Sequence, residues 1–323
     1  MVEVKDLVKN YGNIAAVKGV SFTAEKGEIL GFLGPNGAGK STTMNIITGY
    51  LSSTEGSVTI DGYDILDNPM EARARIGYLP EQPPLYLDMT VEKYLEFIYG
   101  LKKVKLPKKE HLDEIMKLVK IDDIKDRVIR NLSKGYKQRV GFAQALIGNP
   151  SVLILDEPTV GLDPRQIIEM RSLIRSLGKK HTVIFSSHVL SEVASICDRI
   201  VVISNGKITA DERTEDISTV TADAKKLSVT VEGSSSTVLS VLGDVDGVTK
   251  VRRNMQEKDN VYQYHVEYKK TADIRRGVFR ALAKADCPIL DMRDAGMSLE
   301  ESYLQLTNAT RVETVKSRKG GEN

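Results

Sequence analysis

The 323-residue chain is 41% hydrophobic, enough to bury a substantial core, and its length suggests one large domain with a smaller one, which excludes disorder throughout. Its 46 Lys and Arg against 44 Asp and Glu leave a formal charge of +2, too balanced for a dedicated nucleic-acid binder. Cys197 and Cys287 lack CxxC spacing and the even framework of small secreted domains, so they read as buried thiols in a reducing compartment.

The N-terminus, MVEVKDLVKN, carries charges where a signal peptide needs an apolar core and reads as the start of a folded domain. The apolar run Ile29 to Leu33 is a buried strand that meets a loop holding Gly34, Gly37 and Gly39, then Lys40, Ser41, Thr42 and an apolar helix. This is GxxxxGK[ST] in strand-loop-helix context. The glycines let successive backbone N–H groups curl around phosphate oxygens, and the helix that follows aims its positive end at the same place. Lys40 would reach the β- and γ-phosphates, and Ser41 would offer a hydroxyl to Mg²⁺.

Further along, EKYLEFIYGL and EHLDEIMKLVK repeat apolar residues every three or four positions and predict two helices with core-facing stripes. Between them, Lys102, Lys103, Lys105, Lys108 and Lys109 form a charge run that reads as a solvated face, with contact to anionic lipid as the alternative. LSKGYKQR, residues 132 to 139, opens a further helix. The strand Val152 to Leu155 ends in Asp156 and Glu157, followed by PTVGLDP. Acids at that end of a strand face the crevice where open α/β sheets bind ligands. Asp156 suits Mg²⁺, through water, and Glu157 suits the orientation and deprotonation of a water attacking a γ-phosphate. TVIFSSH is a third strand ending at His188, placed to hydrogen-bond the γ-phosphate. VLIL and TVIF are the most apolar runs, far short of the ~18 residues a spanning helix requires, so no membrane crossing is expected.

RIVVISNGKITADE reads as a hairpin turning at Asn205-Gly206 that closes the first domain. After a polar linker, KKLSVTVE, a helix near Val238 to Leu242, strands near Val248 to Asn254 and Val261 to Tyr268, a helix striped by Ile274, Val278, Leu282 and Ala285, and a strand near Ile289 to Met292 give the ferredoxin-like order. Tyr262, Tyr264, Val266 and Tyr268 share one strand face, read as core, with a dimer or regulatory contact as the alternative. SLEESYLQLT carries a capping box, Ser298 and Glu301, and places Leu299, Tyr303 and Leu306 on one helical side ahead of a basic tail from Arg311, expected to be disordered.

Together these motifs resemble the nucleotide-binding subunits of ABC transporters, over residues 1 to 212. GPNGAGKST (Gly34, Pro35, Asn36, Gly37, Ala38, Gly39, Lys40, Ser41, Thr42) resembles the Walker A loop and VLILDEP the Walker B strand. Tyr11 resembles the A-loop aromatic that stacks on adenine, Asp163 of GLD the D-loop, and His188 the switch histidine. LSKGYKQR resembles the signature loop but departs from LSGGQ at Lys134 and Tyr136, while keeping Ser133 and Gly135, whose hydroxyl and N–H the resemblance assigns to a γ-phosphate bound by a second subunit. At the Q-loop position in IGYLPEQPPLY stands Glu81, with Gln82 next to it, and either would contact the metal.

The resemblance implies an α/β P-loop NTPase with a RecA-like core and helical subdomain (1–212), to which the reading of the remaining residues adds a linker (213–225), a small α+β ferredoxin-like domain with a terminal helix (226–308) and a disordered tail (309–323). The resemblance further implies an ATPase that binds ATP and Mg²⁺, pairs with a second, identical or homologous, nucleotide-binding subunit, and drives a separate multi-span permease at the cytoplasmic face of the membrane. The segment 83 to 94 would line the groove receiving a permease helix. Outward transport is the expected direction, the C-terminal part resembling a bacterial exporter branch more loosely. The alternative is a soluble ABC ATPase acting as a nucleotide switch on ribosome or DNA complexes.

Overall fold

The computed structural model describes residues 1–216, 224–269 and 272–294. The capping box at Ser298 and Glu301, the helix through Leu299, Tyr303 and Leu306, the tail from Arg311 and most of the expected linker lie outside them. The described residues form two compact units, one reaching Thr214 and the other starting at Glu215.

In the first unit, β1 (Val2–Tyr11), β2 (Ile14–Ala24), β4 (Glu55–Ile60) and β5 (Tyr63–Asp64) make an antiparallel sheet in the order β2-β1-β4-β5. A second sheet runs β10-β9-β3-β8-β7-β6, built from β3 (Ile29–Leu33), β6 (Ile76–Leu79), β7 (Val152–Asp156), β8 (Thr182–Ser187), β9 (Arg199–Ser204) and β10 (Lys207–Arg213). All its pairings are parallel except that of β9 with β10. Every residue of β3, β7 and β8 is buried, which explains their unbroken rather than alternating sequences. The turn between β9 and β10 has positive φ at both Asn205 and Gly206, the backbone a two-residue hairpin needs.

The core of this unit gathers Val4, Val17 and Phe22 from the antiparallel sheet, Leu30 and Phe32 from β3, and Met44 and Ile47 from α1 (Lys40–Ile47). Three helices make the helical part: α3 (Val91–Leu101), α4 (Lys108–Leu118) and α5 (Lys134–Leu146). Two others flank the parallel sheet, α6 (Pro164–Gly178) and α7 (Leu190–Ile196), while α2 (Pro69–Ala74) follows β5.

The reading of Lys102 as one of a solvated run is corrected. Although the residue is exposed overall, its ammonium turns onto the carbonyls of Gln144 (3.2 Å) and Ile147 (2.9 Å) at the C-terminal end of α5. Those carbonyls lack intrahelical partners, so a cation there satisfies acceptors that the helix leaves over. Burial of the ammonium pulls its pKa down from 10.5 to about 8. Tyr94, at the end of the expected groove segment, is core, 1% exposed and bonded through its hydroxyl to Gln144 Oε1 at 2.5 Å.

The second unit contains β11 (Ala224–Glu232), α8 (Ser235–Gly243), β12 (Val248–Lys258), β13 (Val261–Lys269), α9 (Arg275–Lys284) and β14 (Ile289–Asp294). Its antiparallel sheet runs β12-β13-β11-β14, the strand order of a ferredoxin-like unit. Leu227, Val229, Val231, Tyr264, Val266 and Tyr268 pack on Val238, Leu242, Val278 and Leu282 of the helices, so the tyrosine face is core. Both cysteines are buried free thiols.

Candidate functional site

The site begins where β3 stops at Leu33 and the chain must reverse onto α1 within six residues. Gly39, the N-cap of α1, has φ 109°, and a Cβ there would lie 2.8 Å from the Ala16 carbonyl oxygen. With that close approach to β2 and that φ, no other residue fits without strain. The loop and the first turn of α1 bring Asn36, Gly37, Gly39, Lys40, Ser41 and Thr42 to one cavity of about 450 Å³, shared with Glu81, Glu157 and His188. Ala16 and Val160 also line it. Sequence reasoning missed both, since a small residue on a neighbouring strand and a valine after the acidic pair carry no chemical signal.

Lys40 is 6% exposed. A buried ammonium needs acceptors, and it finds the carbonyls of Gly34 (2.8 Å) and Pro35 (3.3 Å) and the Glu157 carboxylate, 3.4 Å away. Glu157, also 6% exposed, reaches His188 Nδ1 with its other oxygen at 2.9 Å. One carboxylate therefore spans a lysine and a histidine from different elements. Its backbone is left-handed, φ 47°, a conformation that costs an ordinary residue roughly 1–2 kcal/mol. Two bonds hold that turn: the Glu157 N–H donates to the Ser186 carbonyl (3.2 Å) and hydroxyl (3.1 Å).

Asp156 is 3% exposed and accepts a hydrogen bond from the Ser186 hydroxyl. Its charge is felt by Tyr78, whose pKa is driven well above the usual phenol value first by burial and then by Asp156. Glu81 and Gln82 separate: Glu81 lines the loop cavity, whereas Gln82 lines another with Asn45, Tyr50 and Lys102.

Other expected residues stand apart from the cavity lining. Tyr11 is 48% exposed, with the Lys9 ammonium 5.4 Å from its ring centre. Gly34, Pro35 and Ala38 shape the loop from behind, the first two as acceptors for Lys40. Ser133 caps α5, accepting from the Tyr136 N–H at 3.4 Å, and is exposed with Lys134, while Gly135 is buried against Gln166. Lys134 Nζ lies over Gly161, where a Cβ would come within 2.0 Å of it. Asp163 caps α6, accepting from the Gln166 N–H at 2.9 Å.

The donors suit a triphosphate with Mg²⁺. Gly37 and Gly39 adopt the positive φ that coils a phosphate loop over a helix N-terminus. Ser41, Asp156 and Glu81 are hard oxygen donors. Among the described residues no three His, Cys, Asp or Glu side chains form a closed metal cage. A cation that takes its remaining ligands from phosphate and water needs none. None of the described helices is long and apolar enough to cross a membrane.

Comparison with known proteins agrees with this geometry. Residues 17–160 match the family model described as ABC transporter. An uncharacterized ABC transporter ATP-binding protein of Bacillus subtilis, YhcH, is 33% identical over 97% of this chain and 98% of its own length. The linearmycin resistance ATP-binding protein LnrL of the same organism is 31% identical over 96% of this chain and 99% of its own. The bacitracin transport ATP-binding protein BcrA of Bacillus licheniformis is 39% identical over 64% and 68%. Among solved structures, a dimeric bacterial ABC transporter cassette, MJ0796, aligns with a TM-score of 0.61 at 28% identity, covering 66% of this chain and 99% of that one. The same cassette is known in a dimeric post-hydrolysis state bound to ADP and phosphate, at TM-score 0.61 and 27% identity, with coverage of 66% and 99%.

Proposed function

The chain belongs to the ABC transporter ATP-binding protein family, an ATPase, and from that premise we propose that two such chains close around two MgATP to drive a separate multi-span permease, in the export direction. The observation that carries this reading is the Glu157 carboxylate, held between Lys40 and His188 in the cavity behind the glycine loop.

The loop N–H groups and the start of α1 bind phosphate oxygens, and Lys40 neutralises the β- and γ-phosphates. Ser41, Asp156 and Glu81 would hold Mg²⁺, which would supply charge neutralisation to the phosphate. A γ-phosphate competes with Glu157 for both Lys40 and His188. Its arrival frees the Glu157 carboxylate to orient a water and take its proton, while His188 turns to the phosphate. Tyr11, exposed at the end of β1, stacks on the adenine. Ser133 and Gly135 lie at the start of α5, away from this chain's own cavity, and complete the site of the second chain.

Tyr86 (53% exposed), Leu87 (44%) and Phe97 (41%) form an apolar surface beside the loop through Glu81, and this is where a permease helix docks. Export is supported by relatives named for bacitracin transport and linearmycin resistance. The site of action is then the cytoplasmic face of the membrane. Purification of the tagged chain from membranes, with mass spectrometry of what comes with it, tests the reading. A multi-span polypeptide in stoichiometric yield is expected. Recovery with ribosomes alone would overturn it in favour of a soluble nucleotide switch.

A further inference from the structure

The pairing of β7 with β8 ends at Asp156 opposite Ser186. Glu157 and His188 lie beyond it; Glu157 is tied back to Ser186 by its N–H and to His188 by its carboxylate. A further link between the two segments runs through Glu192, on the first turn of α7 and 7% exposed. Its Oε2 accepts from the Thr159 hydroxyl at 2.7 Å and from the Ser187 hydroxyl at 3.3 Å. Thr159 is two residues past Glu157, and Ser187 immediately precedes His188. The Ser187 oxygen also accepts from the Val189 N–H at 3.0 Å, which uses a lone pair and leaves its one proton for Glu192. Ser187 also receives the Gly34 N–H on its carbonyl, at 3.4 Å, which ties the same point to the start of the phosphate loop. Arg171 of α6 stands behind, its Nη2 3.9 Å from Glu192 Oε1.

A carboxylate taken this far out of water is unfavourable unless hydrogen bonds and a counter-charge repay its hydration, and here two hydroxyls and Arg171 supply them. An apolar residue would fill the same space and tie nothing. We propose that Glu192 is a positioning residue for ATP hydrolysis: by holding Thr159 and Ser187 on one oxygen, it fixes the spacing between the base Glu157 and His188. The inference rests on the assignment of those two residues to the reaction. Glu192 lies outside the lining of the loop cavity and acts only through its two partners.

The test is steady-state ATP hydrolysis by the full chain, comparing Glu192→Ala, Glu192→Gln, Thr159→Val, Ser187→Ala and the double Glu192→Ala/Thr159→Val. Glu192→Ala should lower kcat about tenfold or more with the KM for ATP within about twofold, because the phosphate loop is untouched. Glu192→Gln keeps an acceptor oxygen and should recover most of that loss. The double variant should be no slower than Glu192→Ala alone, since both changes break one link. If Glu192→Ala fails to fold, Ser187→Ala and Thr159→Val carry the test, each expected to lower kcat without moving KM. Wild-type kcat in Glu192→Ala, or a fully additive double variant, would overturn the proposal. If the unaltered chain fails to hydrolyse ATP, the assignment of the site itself fails instead.

Discussion

At the level of single residues, what governs the site is how buried charges are satisfied. Lys102 gives the sharpest pH consequence. Its pKa is about 8 in the folded chain against the ordinary 10.5. Between those values the unfolded chain binds more protons than the folded one, so stability rises with pH across that window and the burden on the folded state is greatest below it. Melting temperatures of the unaltered chain and Lys102→Met should therefore differ in the unaltered chain's favour increasingly from pH 7 to pH 10. A difference that does not change with pH would show that the ammonium is solvated. The sequence showed Lys102 only as one lysine among five, because a tertiary contact with the end of α5 decides its state. Lys40, Glu157 and His188 were legible because each stands at a strand end or loop whose chemistry is set by local order. Glu192 was not, because nothing in its surrounding sequence says that a helix folds it back onto Thr159 and Ser187.

At the level of elements, glycines and caps set where helices begin. A Cβ on Gly34 would stand 2.3 Å from the Ile203 carbonyl oxygen, a backbone atom that cannot swing aside. Gly34→Ala should therefore move the loop against β9, raise the KM for ATP severalfold and lower the melting temperature. Asp163→Ala removes the N-cap of α6 and should cost about 1 kcal/mol in denaturant unfolding. The buried strands β3, β7 and β8 and the helices α3 and α4 follow directly from their apolar runs and stripes. The antiparallel sheet of β1, β2, β4 and β5 went unread: β1 and β2 carry bulged registers, so exposed and buried positions fall out of strict alternation. Glu81 and Gln82 part for a similar reason, since they follow the end of β6 at Leu79 and only the course of the loop decides which cavity each lines.

At the level of the whole molecule, the chain combines an ATP-hydrolysing unit with a second unit whose element order was readable from strand alternation and helix stripes, while its sheet order, β12-β13-β11-β14, came from the structure. We place the boundary in the polar stretch 213–225, and mild digestion with a glutamate-specific protease should cut there first, after Glu215, leaving a fragment of the first unit that still binds ATP. Early cutting inside α3 to α5 would contradict that boundary. The central claim, our proposal that two chains share each site, starts from the cavity lining, which includes Glu157 but not Ser133 or Gly135. Glu157→Gln keeps the shape of the base and removes its ability to take a proton. Sedimentation of this variant with saturating MgATP tests the claim most directly. The account predicts a dimer that holds two ATP and dissociates with ADP, whereas a monomer at every ATP concentration, alone and with its membrane partner supplied, would contradict it.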